Sequence, residues 1–178
     1  KPNLMTMYFL TPEQHAAVDR YAAALTDHLV NVIGTAIADL GPAKLSVAHG
    51  RATFAMNRRT SFPKGPVDHD VPVVAVRDPQ GKLRAVLFGY ACHNTTLPAD
   101  FVQISGDYAG YAQSEVEAAN PGATALFLLL CAGDANPTPR GILSDAEHHG
   151  KTLAAEVTRV LGTAMKPVQP NLRTAWQS

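Results

Sequence analysis

Leu83–Cys92 reads LRAVLFGYAC and Ala123–Cys131 reads ATALFLLLC, and each nearly unbroken apolar run breaks off into polar, loop-forming residues. Runs without polar alternation suit strands covered on both faces, and sheets of that kind collect their chemistry just past the strand C-termini. The residues at those two ends are His93-Asn94-Thr95-Thr96 and Gly133-Asp134-Ala135-Asn136. Between the runs, Asp107 to Ala119 has the three- and four-residue apolar spacing of a helix, with Tyr108, Tyr111, Ala112 and Val116 on one face and Asn120-Pro121-Gly122 as its stop. Asp107, at its start, has the position of a helix cap. The sequence around these pieces predicts an α/β domain: a layered arrangement with a mostly buried mixed sheet flanked by helices, spanning residues 1–178 as one part of a larger domain.

Outward from this centre, Val71–Val76 reads as a valine-rich strand, and Asp78-Pro79-Gln80-Gly81 turns it straight into the Leu83 run, the spacing of a hairpin. That antiparallel pair makes the sheet mixed. Lys44 to Ala55 reads as a further strand, with Leu45 and Val47 sharing a face and Gly50 marking a bulge. The residues from Met56 to Asp70 have proline, glycine and charge without period, and read as an irregular loop that presents Asn57, Arg58, Asp68 and His69.

Two helices complete the reading. Thr11-Pro12-Glu13-Gln14 combines an N-cap, a proline in the first turn and a capping-box glutamine, and an apolar stripe then runs to Gly41-Pro42. Ser144-Asp145-Ala146-Glu147 repeats the capping-box pattern ahead of Leu153, Ala154, Val157 and Val160, with His148 and His149 expected on the surface. The tail from Met165 to Trp176 places proline before a short strand, as Gly41–Ala48 does.

Composition narrows the class. With 178 residues, 46% hydrophobic and 17% charged, the chain is long enough to bury a sizeable core. Lys+Arg and Asp+Glu balance at 15 each, which gives neither the basic footprint of a nucleic-acid binder nor a polybasic membrane surface. No apolar stretch approaches the roughly 20 residues of a membrane span, and no basic-then-apolar leader opens the sequence. A small or neutral substrate fits better. Cys92 and Cys131 are too few for a disulfide framework and read as buried thiols.

His93, just past a buried strand and backed by a hydroxyl-rich turn, has the position and type of a metal ligand or general base. A thiol arrangement of Cys131 with His93 and Asp107 is opposed by the apolar setting of Cys131, which would blunt the nucleophile.

The order GKLRAVLFGYACHNTT, then SGDYAGYAQ, then a strand running into AGDANPTP resembles the neutral/alkaline (non-lysosomal) ceramidase family, in a middle part of its large N-terminal catalytic domain. Asn57-Arg58-Arg59 and the strand after it are similar in place to that family's asparagine-arginine segment. The resemblance runs from about Leu4 to Trp176. It implies a zinc-dependent hydrolase of a lipid-like amide, secreted or otherwise outside the cytoplasm, with His93 as one zinc ligand and the others upstream and downstream of this stretch. It places the family's catalytic serine at Asn136, which has no nucleophilic hydroxyl. The implied chemistry is then attack by metal-bound water, with Asn136, Asp134 and Asp107 as the catalytic set and Asn57, Arg58, Thr95 and Thr138 on the substrate. Alone, a chain with one convincing ligand is expected to bind zinc weakly or not at all. The rival reading is a small-ligand-binding module on the same scaffold.

Overall fold

The structure, a computed structural model, describes residues 9–59, 65–171 and 173–176, so the opening segment up to Tyr8 and the middle of the 56–70 loop lie outside the described residues. Two compact units divide at Gly41. The first holds helix α1, Pro12–Ala38, whose capping box forms as expected: the Thr11 hydroxyl accepts from Gln14 N and the Gln14 side chain accepts from Thr11 N. No residue of α1 is buried.

The second unit carries a five-stranded mixed sheet. Its strands are β1 (Lys44–Arg51), β3 (Asp70–Arg77), β4 (Leu83–Tyr90), β5 (Thr124–Leu129) and β7 (Lys166–Pro167), in the order β5-β4-β3-β1-β7. The expected hairpin is there: β3 and β4 are antiparallel, and Asp78 closes the turn through Lys82 N at 2.8 Å. β4 and β5 run parallel, joined by helix α2 (Asp107–Ala119). Helix α3, Leu143–Leu161, packs beside α2 over the same face of the sheet. No helix among the described residues is long and apolar enough to cross a membrane.

Alternation along the strands sorts the sheet into two faces. Val71, Val73, Ala75, Val86, Phe88 and Tyr90 point toward the helices and are buried. The opposite face carries Leu45, Val74, Leu87, Leu126 and Leu128, and Leu126 and Leu128 are 49% and 48% exposed. The expectation that both runs are covered on both faces therefore fails for β5, because an apolar run does not show which side its neighbours occupy.

Other expectations change for local reasons. The Lys44–Ala55 strand ends at Arg51, and Ala55 joins Met56 and Asn57, read as the start of an irregular loop, in strand β2 (Ala55–Asn57), paired antiparallel with β6 (Ala135–Pro137). Gly50 makes no bulge. The β1–β3 register is continuous through it, and a Cβ there would stand 2.8 Å from Val160 Cγ2, so the glycine serves the close approach of α3. The Ser144 capping box does not form, since α3 is entered through Ile142 without a side-chain cap. The tail strand shrinks to Lys166–Pro167, which pairs with Ser46 and Val47 of the segment it resembles. Cys131 is exposed rather than buried. Cys92 is buried as expected, and burial pushes its thiol up to about 12. His149 is buried rather than on the surface: its ring stacks on Phe54 at 4.4 Å, and Nε2 donates to the Pro139 carbonyl at 2.7 Å. Its neighbour His148 is exposed as expected.

Candidate functional site

The loops beyond β4 and β5 meet, and the β2–β6 ladder is what joins them. His93 N donates to Ala135 O at 3.0 Å, so the end of β4 is stitched to β6. In the ladder Met56 stands opposite Asn136 and Asn57 opposite Ala135. The Thr95 hydroxyl makes a long contact, 3.5 Å, with Asn136 Oδ1. His93, Thr95, Asn57 and Asn136, far apart in sequence, are therefore brought to one edge.

The polar groups around this edge have defined partners. Asn57 Nδ2 donates to the Asp134 carboxylate at 3.1 Å and to Pro66 O at 3.0 Å, while its Oδ1 accepts from Arg59 N. Arg58 N donates to Asp134 O at 2.7 Å, and the Arg58 and Arg59 guanidinium groups converge on Gly133 O. Asp134 is thus held from two sides by the 57–59 segment. Charge-assisted bonds of this kind fix a loop more firmly than neutral ones.

Two hollows flank Arg140. A shallow one, about 210 Å³, is lined by Met56, Asn57, Arg58, Asn136, Thr138 and Arg140. A larger one, about 540 Å³, lies between Arg140 and the residues from Thr95 to Ala99. Of the expected site residues, Asn57, Arg58, Asn136 and Thr138 line the first hollow and Thr95 the second. His93 and Asp134 line neither, although both are bonded to residues that do.

Asp107 takes a different place from a simple cap. The cap position of α2 belongs to Gly106, which has no side-chain bond, and Asp107 itself has φ 53. The residue is only 6% exposed, and its carboxylate accepts from Leu97 N at 2.9 Å and from Tyr108 N at 2.7 Å. It fixes the wall of the larger hollow from inside. The Tyr108 hydroxyl donates to Cys92 O, which ties the same helix start to the end of β4.

Three residues of this region escape a sequence reading. Arg140 had no signal beyond its place after Asn136, and Met56 is placed by a three-residue strand too short to show a period. His149 did carry one, since it is in helical phase with Ala146 and Leu153, both buried. As for metal, no three His, Cys, Asp or Glu side chains stand together among the described residues.

No protein-family model matches this sequence, and no curated protein matches it. Solved structures do. Neutral ceramidase from Pseudomonas aeruginosa superposes with a TM-score of 0.73 and 23% identity over 84% of this chain and 27% of its own. A ceramidase complexed with C2 gives 0.67 and 21% identity over 75% of this chain and 24% of its own. The chain thus spans about a quarter of the length of these neighbours. It has the fold of the matching segment of neutral ceramidases, the family whose motifs its sequence resembles.

Proposed function

We propose that the chain is a segment of a ceramidase-like hydrolase that acts on an amide or related bond of a small or lipid-like substrate. The observation that carries this reading is the junction of the His93–Thr96 and Gly133–Asn136 loops across the β2–β6 ladder, within a ceramidase fold. In the shallow hollow the Thr95 contact occupies Asn136 Oδ1 and leaves Nδ2 as a donor. Together with the Arg140 guanidinium, it would receive the substrate carbonyl oxygen and stabilise the charge that develops there. Asn57 and Arg58 hold the Gly133–Asp134 turn, and Asp107 positions the Thr95–Leu97 loop. Asn136 cannot form an acyl-enzyme, so the attacking group in this reading is water rather than a side chain at that position.

Zinc dependence and His93 as a ligand belong to the same proposal. They require ligands beyond those this chain brings together. An extracytoplasmic location rests on the resemblance alone. The absence of a nucleophile at Asn136 favours one rival, a binding module in which the same donors hold a polar ligand without turnover.

The test is to assay the full protein and its Asn136→Ala and Asn136→Ser variants on ceramide and on simpler amides, with and without chelator. Loss of one such donor typically lowers the rate about 10²- to 10³-fold, so Asn136→Ala should fall by that much and chelator should abolish the rest. Activity untouched by Asn136→Ala, or persisting in chelator, overturns the hydrolase reading as stated. Amide binding without turnover establishes the binding module instead.

A further inference from the structure

The rim of the shallow hollow gathers positive charge that nothing yet described neutralises. Arg58 Nε and Nη2 both donate to Gly133 O, at 3.3 and 3.1 Å, and Arg59 Nη2 reaches the same oxygen at 3.4 Å. Two guanidinium groups are thus drawn to one carbonyl, where their like charges repel unless an anion joins them. The acid next in sequence, Asp134, has its carboxylate on Asn57 Nδ2, and among the described residues no carboxylate forms an ion pair with Arg58, Arg59 or Arg140. Arg58 and Arg140 line the hollow together with Asn136. One edge of the Arg58 fork, Nε with Nη2, is taken by Gly133 O, so its orientation is set before any ligand arrives. The end edge, Nη1 with Nη2, keeps two parallel N–H donors.

We propose that the amide taken by this site carries a carboxylate close to the scissile bond, as an N-acyl amino acid does, and that Arg58 selects it. The inference rests on the hydrolase reading and narrows its substrate class. Asn136 Nδ2 and Arg140 receive the amide carbonyl, and the free edge of Arg58 takes the carboxylate through two parallel charge-assisted bonds. A guanidinium already held by Gly133 O gives up little side-chain freedom on binding, which a loose surface arginine would have to do. The hollow, about 210 Å³, is smaller than the roughly 300–1,000 Å³ of sites that enclose a drug-sized ligand. It therefore houses the polar head rather than the acyl chain, and the carboxylate must lie within a few bonds of the amide. A neutral head group would leave the Arg58 charge unpaired. In the reaction one water supplies the hydroxyl that ends on the acyl carbon and the proton that ends on nitrogen. The C–N bond breaks with its electron pair going to nitrogen, and the products are a carboxylic acid and a free amino acid.

The experiment compares N-hexanoylglycine with N-hexanoylethanolamine, in which a hydroxyl replaces the carboxylate, on the full protein. kcat/KM should favour the glycine conjugate at least about tenfold, the factor typical of a charge-assisted pair, and the preference should narrow as ionic strength rises from about 0.05 M to 0.5 M. Arg58→Gln leaves the backbone bond from residue 58 to Asp134 O in place and removes the charge. It should bring the ratio of the two substrates close to one, whereas an arginine that only holds the Gly133 turn would lower both by the same factor. Should the protein cleave neither amide, the hydrolase reading fails by itself, and the same ratio read as Kd by calorimetry decides the selection by Arg58. The inference is overturned if the ethanolamide is cleaved or bound as well as the glycine conjugate, if Arg58→Gln lowers both equally, or if neither amide binds at about 10 mM.

Discussion

The two faces of the sheet are built from alternate residues of the same strands, yet they are in different physical states. Toward α2 and α3, Val73, Val86 and Phe88 are sealed, and Phe54, Tyr90, Tyr108 and Phe127 pack edge-on or tilted at 4.8 to 6.5 Å. On the other side Leu126 and Leu128 remain half in water. Stability in this unit therefore comes mainly from one face, and the site loops are anchored to that face: Tyr108 bonds Cys92 O, Tyr90 bonds Ala52 O, and His149 bonds Pro139 O.

Substitution can break this contrast. Phe88→Ala, on the sealed face, should cost about 3–5 kcal/mol in urea unfolding, the usual range for a buried phenylalanine. Gly150→Ala attacks the helix layer that seals it. A Cβ at Gly150 would fall on Tyr111 Cβ and stand 2.9 Å from Tyr108 O, so α2 and α3 would have to part, with an expected loss of about 1–3 kcal/mol. On the open face, Leu126→Ala should change stability by less than about 1 kcal/mol, because half of the side chain is hydrated already. A loss for Leu126→Ala as large as that for Phe88→Ala would mean that something covers the open face.

The smallest expected effect sharpens the comparison at the rim of the sealed face. The Glu156 carboxyl is held below its ordinary value of 4.5, first by its bonds from the Arg159 guanidinium and also by Arg51 N, despite an opposing push from partial burial. A carboxyl lowered by folding stabilises the protein fully above its ordinary value and loses that contribution as pH falls through the folded value. Glu156→Gln keeps an acceptor for Arg51 N and removes the charge. It should be slightly less stable than the parent at pH 7, and the gap measured by urea titration should close on acidification.

Much of the sheet was legible because hydrophobic period and turn chemistry are local. The β3–β4 hairpin needed only valines and an Asp-Pro-Gln-Gly turn, and α2 matched its expected bounds of Asp107 and Ala119. The junction of the site was less so. β2 and β6 are three residues each, and their pairing is set by the loops' return over the sheet rather than by any pattern within them. Burial of a run was legible in kind but not in side, which is why β5 and Cys131 came out more exposed than their composition implied. His149 shows the reverse case: helical phase pointed inward, while residue type pointed to solvent.

The Gly106-Asp107 pair narrows what sequences can stand at the entry to α2. A side chain at Gly106 would meet Gly110 Cα at 2.9 Å, so that position excludes even alanine unless the helix start shifts. At Asp107 the left-handed φ is tolerated by glycine, asparagine and aspartate, but the requirement for two acceptor oxygens, one to Leu97 N and one to Tyr108 N, removes the first and handicaps the second. Glutamate would keep the charge but carries it one methylene farther from a backbone already in an unfavourable well. Two consecutive codons are therefore nearly without synonyms in protein terms, and a short run of letters, Ser-Gly-Asp-Tyr-Ala-Gly, can be recognised at a sequence identity where most other positions have drifted out of register with their counterparts.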